Sequence, residues 1–233
     1  MPAVTSDSTS DATSDRQPAD EPELLSPARK RDAEETRRNI LAVAKEEFAK
    51  NGLSGARVDA IAARTRTTKR MIYYYFGSKE GLYLAVLEKA YADIRGIEIN
   101  LHLEEADPET AIRTLIDFTI DYQDANPDFI RLVSIENIHE GRFIAQSEAI
   151  RNLNVAIIDT IRRILARGRE TGAFRDDVDP VDVHLMISSF SFFRVSNRHT
   201  FGTIFKRDLS DPELKERHKR MLAEAVIRLL RPA

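Results

Sequence analysis

The sequence predicts an all-α chain of about nine helices. Three observations carry this expectation. Apolar residues recur at three- and four-residue spacing through most of the chain beyond residue 32. Four segments open on an Asp-Pro or Asn-Pro pair, a helix start in which the first residue caps and the proline takes the first helical position. No stretch shows sustained two-residue alternation, and no hairpin dipeptide separates two such stretches.

Taken in order, residues 1–28 are rich in Ser, Thr, Asp, Ala and Pro, and they bury too little to offset the entropy of ordering. They are expected to form a disordered acidic tail. "PARKR" is a basic approach to a first helix starting near Asp32, with Ile40, Leu41, Ala44 and Phe48 on one face and Asn51-Gly52 at its end. A short helix is expected from about Val58 to Thr65, with Val58, Ile61 and Ala62 inward. Thr68 caps a third, running to Phe76, and Ser78 begins a fourth whose apolar face is Leu82, Tyr83, Val86, Leu87, Ala90, Tyr91 and Ile94. Further helices are expected from Asp107-Pro108, from Pro127 to Gly141, from Ala145 to Thr171, from Asp179-Pro180 and from Asp211-Pro212 to about Leu230.

Composition narrows the function. There is no cysteine, which removes disulfides and thiolate chemistry and suits a reducing cytoplasm. No apolar run approaches membrane-spanning length, and the N-terminus lacks the apolar core of a signal peptide. Net charge is −3, but it is unevenly spread. Residues 29–80 hold thirteen Lys or Arg against seven Asp or Glu, while the flanking segments are acidic. A short basic region of this kind points to a polyanion partner.

That region contains "RTRTTKRMIYYYFGSKEGLYLAVL", Arg64 to Leu87. Two short helices joined by a tight turn, the second carrying Lys69, Arg70, Tyr73, Tyr74 and Tyr75, have the pattern of a helix-turn-helix. Lys69 and Arg70 lie in the first turn, where groove-facing residues sit. Tyrosine rings pack on sugars and their hydroxyls reach phosphates. At 100° per residue three tyrosines cannot share a face, so Tyr73 and Tyr74 are expected outward, while Ile72, Tyr75 and Phe76 divide between core and flank. Lys79 and the amides opening the fourth helix can grip one phosphate together.

"VDAIAARTRTTKRMIYYYFGSKEGLYLAVL" resembles the DNA-binding domain of TetR-like (tetracycline-repressor family) regulators over residues 33–87, through Ile61, Ala62, Thr68, Tyr73, Phe76, Lys79 and Leu82. The resemblance implies that Thr68, Lys69, Arg70, Tyr73 and Tyr74 approach double-stranded DNA and that Lys79 contacts a phosphate. Two positions depart from the family pattern. Thr65-Arg66 stands where Ala-Gly is usual, so either the turn differs or a left-handed Arg66 is tolerated. Arg57 stands where the family has Thr, and it either replaces that phosphate contact or is a solvated arginine.

The resemblance divides the chain into the tail, a DNA-binding domain at 29–80 and a regulatory, ligand-binding and dimerisation domain at 81–233. It implies a homodimer joined through the eighth and last helices, with Ser188, Ser189, Met221, Leu222, Ala225, Val226 and Leu229 at the interface; the alternative is that many of these are intrachain core. It also implies a small-molecule effector of unknown identity among the middle helices, which offer Phe118, Tyr122, His139, Phe143, Phe190, Phe193, Arg194 and Asn197. Arg194 or His139 would meet an acceptor on the effector. In the alternative the aromatics are plain core and Arg194 pairs with Glu136 or an Asp.

No Gly-rich phosphate loop, G-x-S-x-G or H-E-x-x-H is present, and the five histidines lack ligand spacing. No catalytic residue, metal or cofactor is expected. The expected function is a cytoplasmic repressor, released by its effector from a two-fold-related operator. The alternatives are an architectural DNA-binding protein without effector, discriminated by a closed cavity, and a helical enzyme on the same scaffold, discriminated by titratable groups converging there.

Overall fold

A computed structural model describes residues 27–232, with side chains from Arg31 onward. Residues 1–26 of the expected acidic tail and the side chains of Arg29 and Lys30 therefore lie outside the described residues, while Pro27 and Ala28, expected in that tail, are helical. The chain divides after Glu35. Among the described residues the first unit contributes the opening turns of one helix, and all packing below concerns residues 36–232.

Ten α-helices follow one another among the described residues: α1 (Pro27–Gly55), α2 (Val58–Thr65), α3 (Lys69–Phe76), α4 (Lys79–Glu98), α5 (Pro108–Ala125), α6 (Pro127–Ile138), α7 (Glu148–Glu170), α8 (Pro180–Ser196), α9 (Arg198–Phe205) and α10 (Pro212–Leu230). Single 3-10 turns occupy Ile99–Leu101 and Ile144–Gln146. No strand occurs among the described residues.

The caps are those the sequence offers. The side chains of Thr68, Ser78 and Asp107 accept from the backbone N–H groups of Met71 at 3.2 Å, Gly81 at 2.9 Å and Thr110 at 3.0 Å. Asp179 and Asp211 do the same for Val181 and Glu213. Four boundaries differ from expectation, one being the end of α6 at Ile138 rather than Gly141. α1 begins at Pro27 rather than near Asp32. Gly52 breaks it with φ 70 and ψ 174, yet the chain takes one more turn to Gly55. α7 begins at Glu148, because Ser147 caps Ile150 and the preceding residues close a 3-10 turn instead. The sequence reading missed α9 altogether: it is eight residues long, has no side-chain cap and buries no residue, and its apolar stripe of Phe201, Ile204 and Phe205 spans little more than one turn.

Two apolar cores result. The first joins α1, α2, α3 and α4, with Ile40, Ala44, Phe48, Ile61, Ile72, Leu82 and Tyr83 all fully buried. It continues through Tyr122, Phe129, Ile130 and Phe143. The second joins α5, α7, α8 and α10 around Ile112, Ile116, Ile161, Ile164 and Val226. Each such side chain contributes about 1.5–3 kcal/mol of burial. Outside the second core, Lys219 and Lys215 on α10 reach Asp121 on α5 at 2.7 and 3.1 Å.

Candidate nucleic-acid interface and effector cavity

α2 and α3 form the helix-turn-helix. Arg66, the residue after α2, adopts φ 54 and ψ 33, and its N–H is directed at the carbonyls of Ala62 and Ala63. The turn is therefore the left-handed one, made by an arginine where glycine would adopt it without strain; the alternative of a different turn is excluded. Burial of Ile72 fixes the roll of α3. It leaves Tyr73 partly exposed and Tyr74 77% exposed, while Tyr75 and Phe76 are half-buried against the first core. Arg37 lies 5.4 Å over the Phe76 ring.

The cations of this surface differ in commitment. Lys69 pairs with Asp59 at 3.3 Å, and Arg64 with Glu46. Lys79 Nζ donates to the Ser54 carbonyl at 3.2 Å. Arg57 precedes α2; its backbone N–H donates to Glu47 at 3.1 Å. Among the described residues the exposed guanidinium groups of Arg57 and Arg70 meet no acceptor or carboxylate. Gly81 sets the junction between α3 and α4: a Cβ there would lie 2.1 Å from the Phe76 carbonyl oxygen. No spacing pattern marks that glycine, and the sequence reading did not single it out.

In the rest of the chain a cavity of about 510 Å³ opens between α4, α5, α6, α7 and α8. Of the eight effector-site candidates only Phe193 and Asn197 line it. Phe118 and Tyr122 pack on each other at 5.7 Å beside the first core, and burial pushes the Tyr122 phenol up to about 12. Phe143 meets Tyr83 at 5.2 Å and His139 at 5.9 Å. Phe190 meets His218 at 5.5 Å. Arg194 points away from the cavity. It donates to the Leu209 carbonyl at 2.9 Å and contacts His218 Nδ1. α8 turns Arg194 toward α10, and neither Arg194 nor His139 lines this cavity. The expected alternative partner of Arg194, Glu136, instead accepts from the N–H groups of Phe143 at 2.7 Å and Ile144 at 2.9 Å.

The sequence reading missed the polar lining of this cavity: Arg95, Glu98, Gln123, Asn154, His184 and Ser188. Arg95 is buried against Glu98 and donates to Asn154 Oδ1 at 2.9 Å. Burial raises the Glu98 carboxyl despite the opposing pull of Arg95. His184 lies 3.3 Å from the Ser188 hydroxyl; burial, and then Arg95, hold its imidazole down to about 4. The one advance signal was charge inside an otherwise apolar stripe of α4.

The last two long helices present a second surface. Leu222 and Val226, expected at a dimer interface, are buried inside the chain against α5, which corrects their assignment. Met221, Ala225 and Leu229 face outward from α10. On α8, Leu185 is 62% exposed, with Val181, Ser189 and Phe193 on the same exposed stripe and Ser188 half-buried beside it. Contiguous exposed apolar residues of this kind mark association surfaces. Among the described residues no three His, Asp or Glu side chains gather into a metal site, and no helix is long and apolar enough to cross a membrane.

Comparison with known proteins agrees with this arrangement. Residues 40–86 match the profile described as bacterial regulatory proteins, tetR family, and residues 108–226 match the tetracyclin repressor-like C-terminal domain. The chain is 38% identical over 203 residues to the HTH-type transcriptional repressor NicS of Pseudomonas putida, covering 87% of this chain and 96% of that one. It is 34% identical to the HTH-type transcriptional repressor SCO4008 of Streptomyces coelicolor, covering 71% and 81%. Among solved structures, the Streptomyces coelicolor regulator SCO4942 superposes with a TM-score of 0.63 at 29% identity, covering 84% of this chain and 99% of that one. A TetR regulator from Chloroflexus aurantiacus superposes with a TM-score of 0.67 at 21% identity, covering 87% and 100%, a likeness of fold.

Proposed function

Because the chain belongs to the tetR family of bacterial regulatory proteins, we propose that it is a homodimeric transcriptional repressor that leaves its operator when a small molecule fills the cavity beside α4. The observation that carries this reading is the outward face of α3. Tyr73, Tyr74 and Arg70 stand exposed on a short helix whose buried Ile72 fixes its orientation. In this reading residues 29–80 read DNA, with Lys69, Arg70, Tyr73 and Tyr74 in the major groove and Thr68, Arg57 and Lys79 at phosphates. Residues 81–233 bind the effector and the second copy. The outward residues of α8 and α10 meet their two-fold mates, so two α3 helices lie about one DNA turn, ~34–36 Å, apart. A cytoplasmic location goes with this function.

The cavity is open rather than closed, but its buried polar lining of Arg95, Glu98 and Gln123 favours an effector-responsive regulator over an architectural protein. The enzyme reading rests on the Ser188 hydroxyl beside His184 at 3.3 Å. An imidazole held down to about 4 is a weak base for activating that hydroxyl. Both TetR relatives compared above carry regulator names.

Selection of genomic fragments by the purified full-length protein tests the proposal. The expected product is one two-fold-related sequence motif bound by a dimer. Recovery of fragments without a shared motif would exclude a sequence-specific repressor and favour the architectural reading.

A further inference from the structure

The cavity beside α4 stops against a buried ion pair, and a second cavity begins beyond it. Tyr91, Ile94, Arg95 and Glu98 line the first cavity and share one face of α4. Arg95 and Glu98, continued by Ile99 and His102, also line the second, which measures about 380 Å³ and has α7 as its opposite wall. The two cavities thus follow one another along the same side of α4, and Arg95 and Glu98 are the residues common to both. Because both lie on one side of the helix, α4 does not divide them; the shared side chains do.

The pair is fixed in place. Arg95 and Glu98 are each 8% exposed and are bonded to one another across one helical turn. Arg95 also donates to Asn154 Oδ1 on α7 at 2.9 Å, and Asn154 Nδ2 donates to the Ile150 carbonyl at 2.8 Å. Two charges taken out of water add little stability, and apolar residues of the same size commonly serve as well. Standing where two cavities meet, however, the pair closes the end of the first to an apolar chain, which could pass only by separating two desolvated charges.

Beyond the pair the second chamber suits such a chain. Ile99, Leu103, Leu153 and Ile157 give it apolar walls. The polar groups at its rim are matched among themselves, Arg163 with Glu104 at 2.6 Å and His102 with Glu105 at 3.4 Å.

We infer that the Arg95–Glu98 pair is a specificity-determining partition: it confines the effector to the chamber between α4, α5, α6 and α8 and excludes longer apolar molecules that would reach into the second chamber. The inference rests on reading the first cavity as the effector site.

Primary alcohols from hexanol to dodecanol serve as a ruler. Each is titrated into the full-length protein, with the thermal midpoint reporting binding and the affinity for the selected operator as a second readout. Each buried methylene is worth about fourfold in affinity. In the unaltered protein affinity is expected to rise with chain length and then stop rising. Arg95→Ala with Glu98→Ala removes both charges together, so neither is left buried alone. In that variant the rise should continue, and an alcohol two carbons past the original stop should bind about fifteenfold more tightly than it does to the unaltered protein. Adding Ala156→Trp, which fills the second chamber only, should restore the stop. Ala156 is exposed, so the tryptophan alone tests the partition even if the alanine pair fails to fold: it should leave the series of the otherwise unaltered protein unchanged. A stop shifted by Ala156→Trp alone would overturn the inference, and so would an unmoved stop in the folded alanine pair, a series without a stop, or no binding of any alcohol up to its solubility limit. Alcohols that bind with the expected stop yet leave operator affinity intact would uphold the partition and overturn the effector role of the cavity. Alcohols that release the operator with no stop would do the reverse.

Discussion

Lys79 Nζ donates to the Ser54 carbonyl at 3.2 Å, tying the first turn of α4 to the last turn of α1. The same ammonium stands at the N-terminal end of α4, where a phosphate would sit. Lys79→Met, which keeps the stem, is expected to weaken binding to operator and random duplex alike and to lower the salt slope by about one. The lost carbonyl contact should also cost about 0.5–1.5 kcal/mol of stability. Anisotropy titrations over a range of salt, with urea unfolding beside them, measure both. An unchanged slope would leave Lys79 with only its structural task.

Arg66 sits at φ 54 in the turn between α2 and α3. An L-residue with a Cβ is strained there by roughly 1–2 kcal/mol, part of which a glycine gives back in the unfolded chain. Arg66→Gly is expected to raise the unfolding free energy by about 0.5–1 kcal/mol with an unchanged denaturant slope. A destabilised glycine variant would show that the guanidinium holds the turn by a contact stronger than its strain.

The outward and inward faces of α8 and α10 give opposite outcomes. Leu185→Glu places charge on the exposed stripe and is expected to yield folded monomers with greatly weakened operator binding. Leu222→Glu places it in the intrachain core, where an unpaired carboxylate is not tolerated, and should abolish cooperative folding. Light scattering and circular dichroism distinguish the two. A Leu185→Glu protein that remains dimeric would remove α8 from the interface.

His184 titrates near 4 in the folded chain against 6.5 when free. Between those values the unfolded chain binds the extra proton, so stability falls as the pH drops from about 6.5 toward 4 and is fully present above that window. Because the ring is only partly buried, the loss should be on the order of 2 kcal/mol rather than the full shift. His184→Gln should flatten this part of the pH profile. An equally steep profile in the variant would assign the acid sensitivity to other groups.

The helices were legible because their starts are chemical: Asp107, Asp179 and Asp211 each cap a helix whose first residue is proline. The outward tyrosines followed from the three-residue run itself, since only one face could be buried. Arg194 was misplaced for the opposite reason. Its stripe with Phe190 and Phe193 is real as spacing, but the roll of α8 decides which member faces the cavity, and that roll depends on α10, a helix not adjacent in sequence. Gly81 was invisible because closeness to the Phe76 carbonyl is a property of the bend, not of the neighbouring residues. The pairing of Arg95 with Asn154 joins α4 to α7, a contact no local pattern announces.

The packing of α10 on α5 has a consequence for the nascent chain. α5 ends at Ala125, and the helix that covers it begins at Pro212. At synthesis rates of about 5–20 residues per second, the face bearing Ile112 and Ile116 waits roughly 5–20 seconds for its cover. The part of the first core shared by α1 to α4 needs no such wait, since those helices emerge together, although Phe129 and Phe143 join it later. The second core therefore closes only once α10 has been made, and a chain stalled before Pro212 presents an uncovered apolar face to chaperones and proteases.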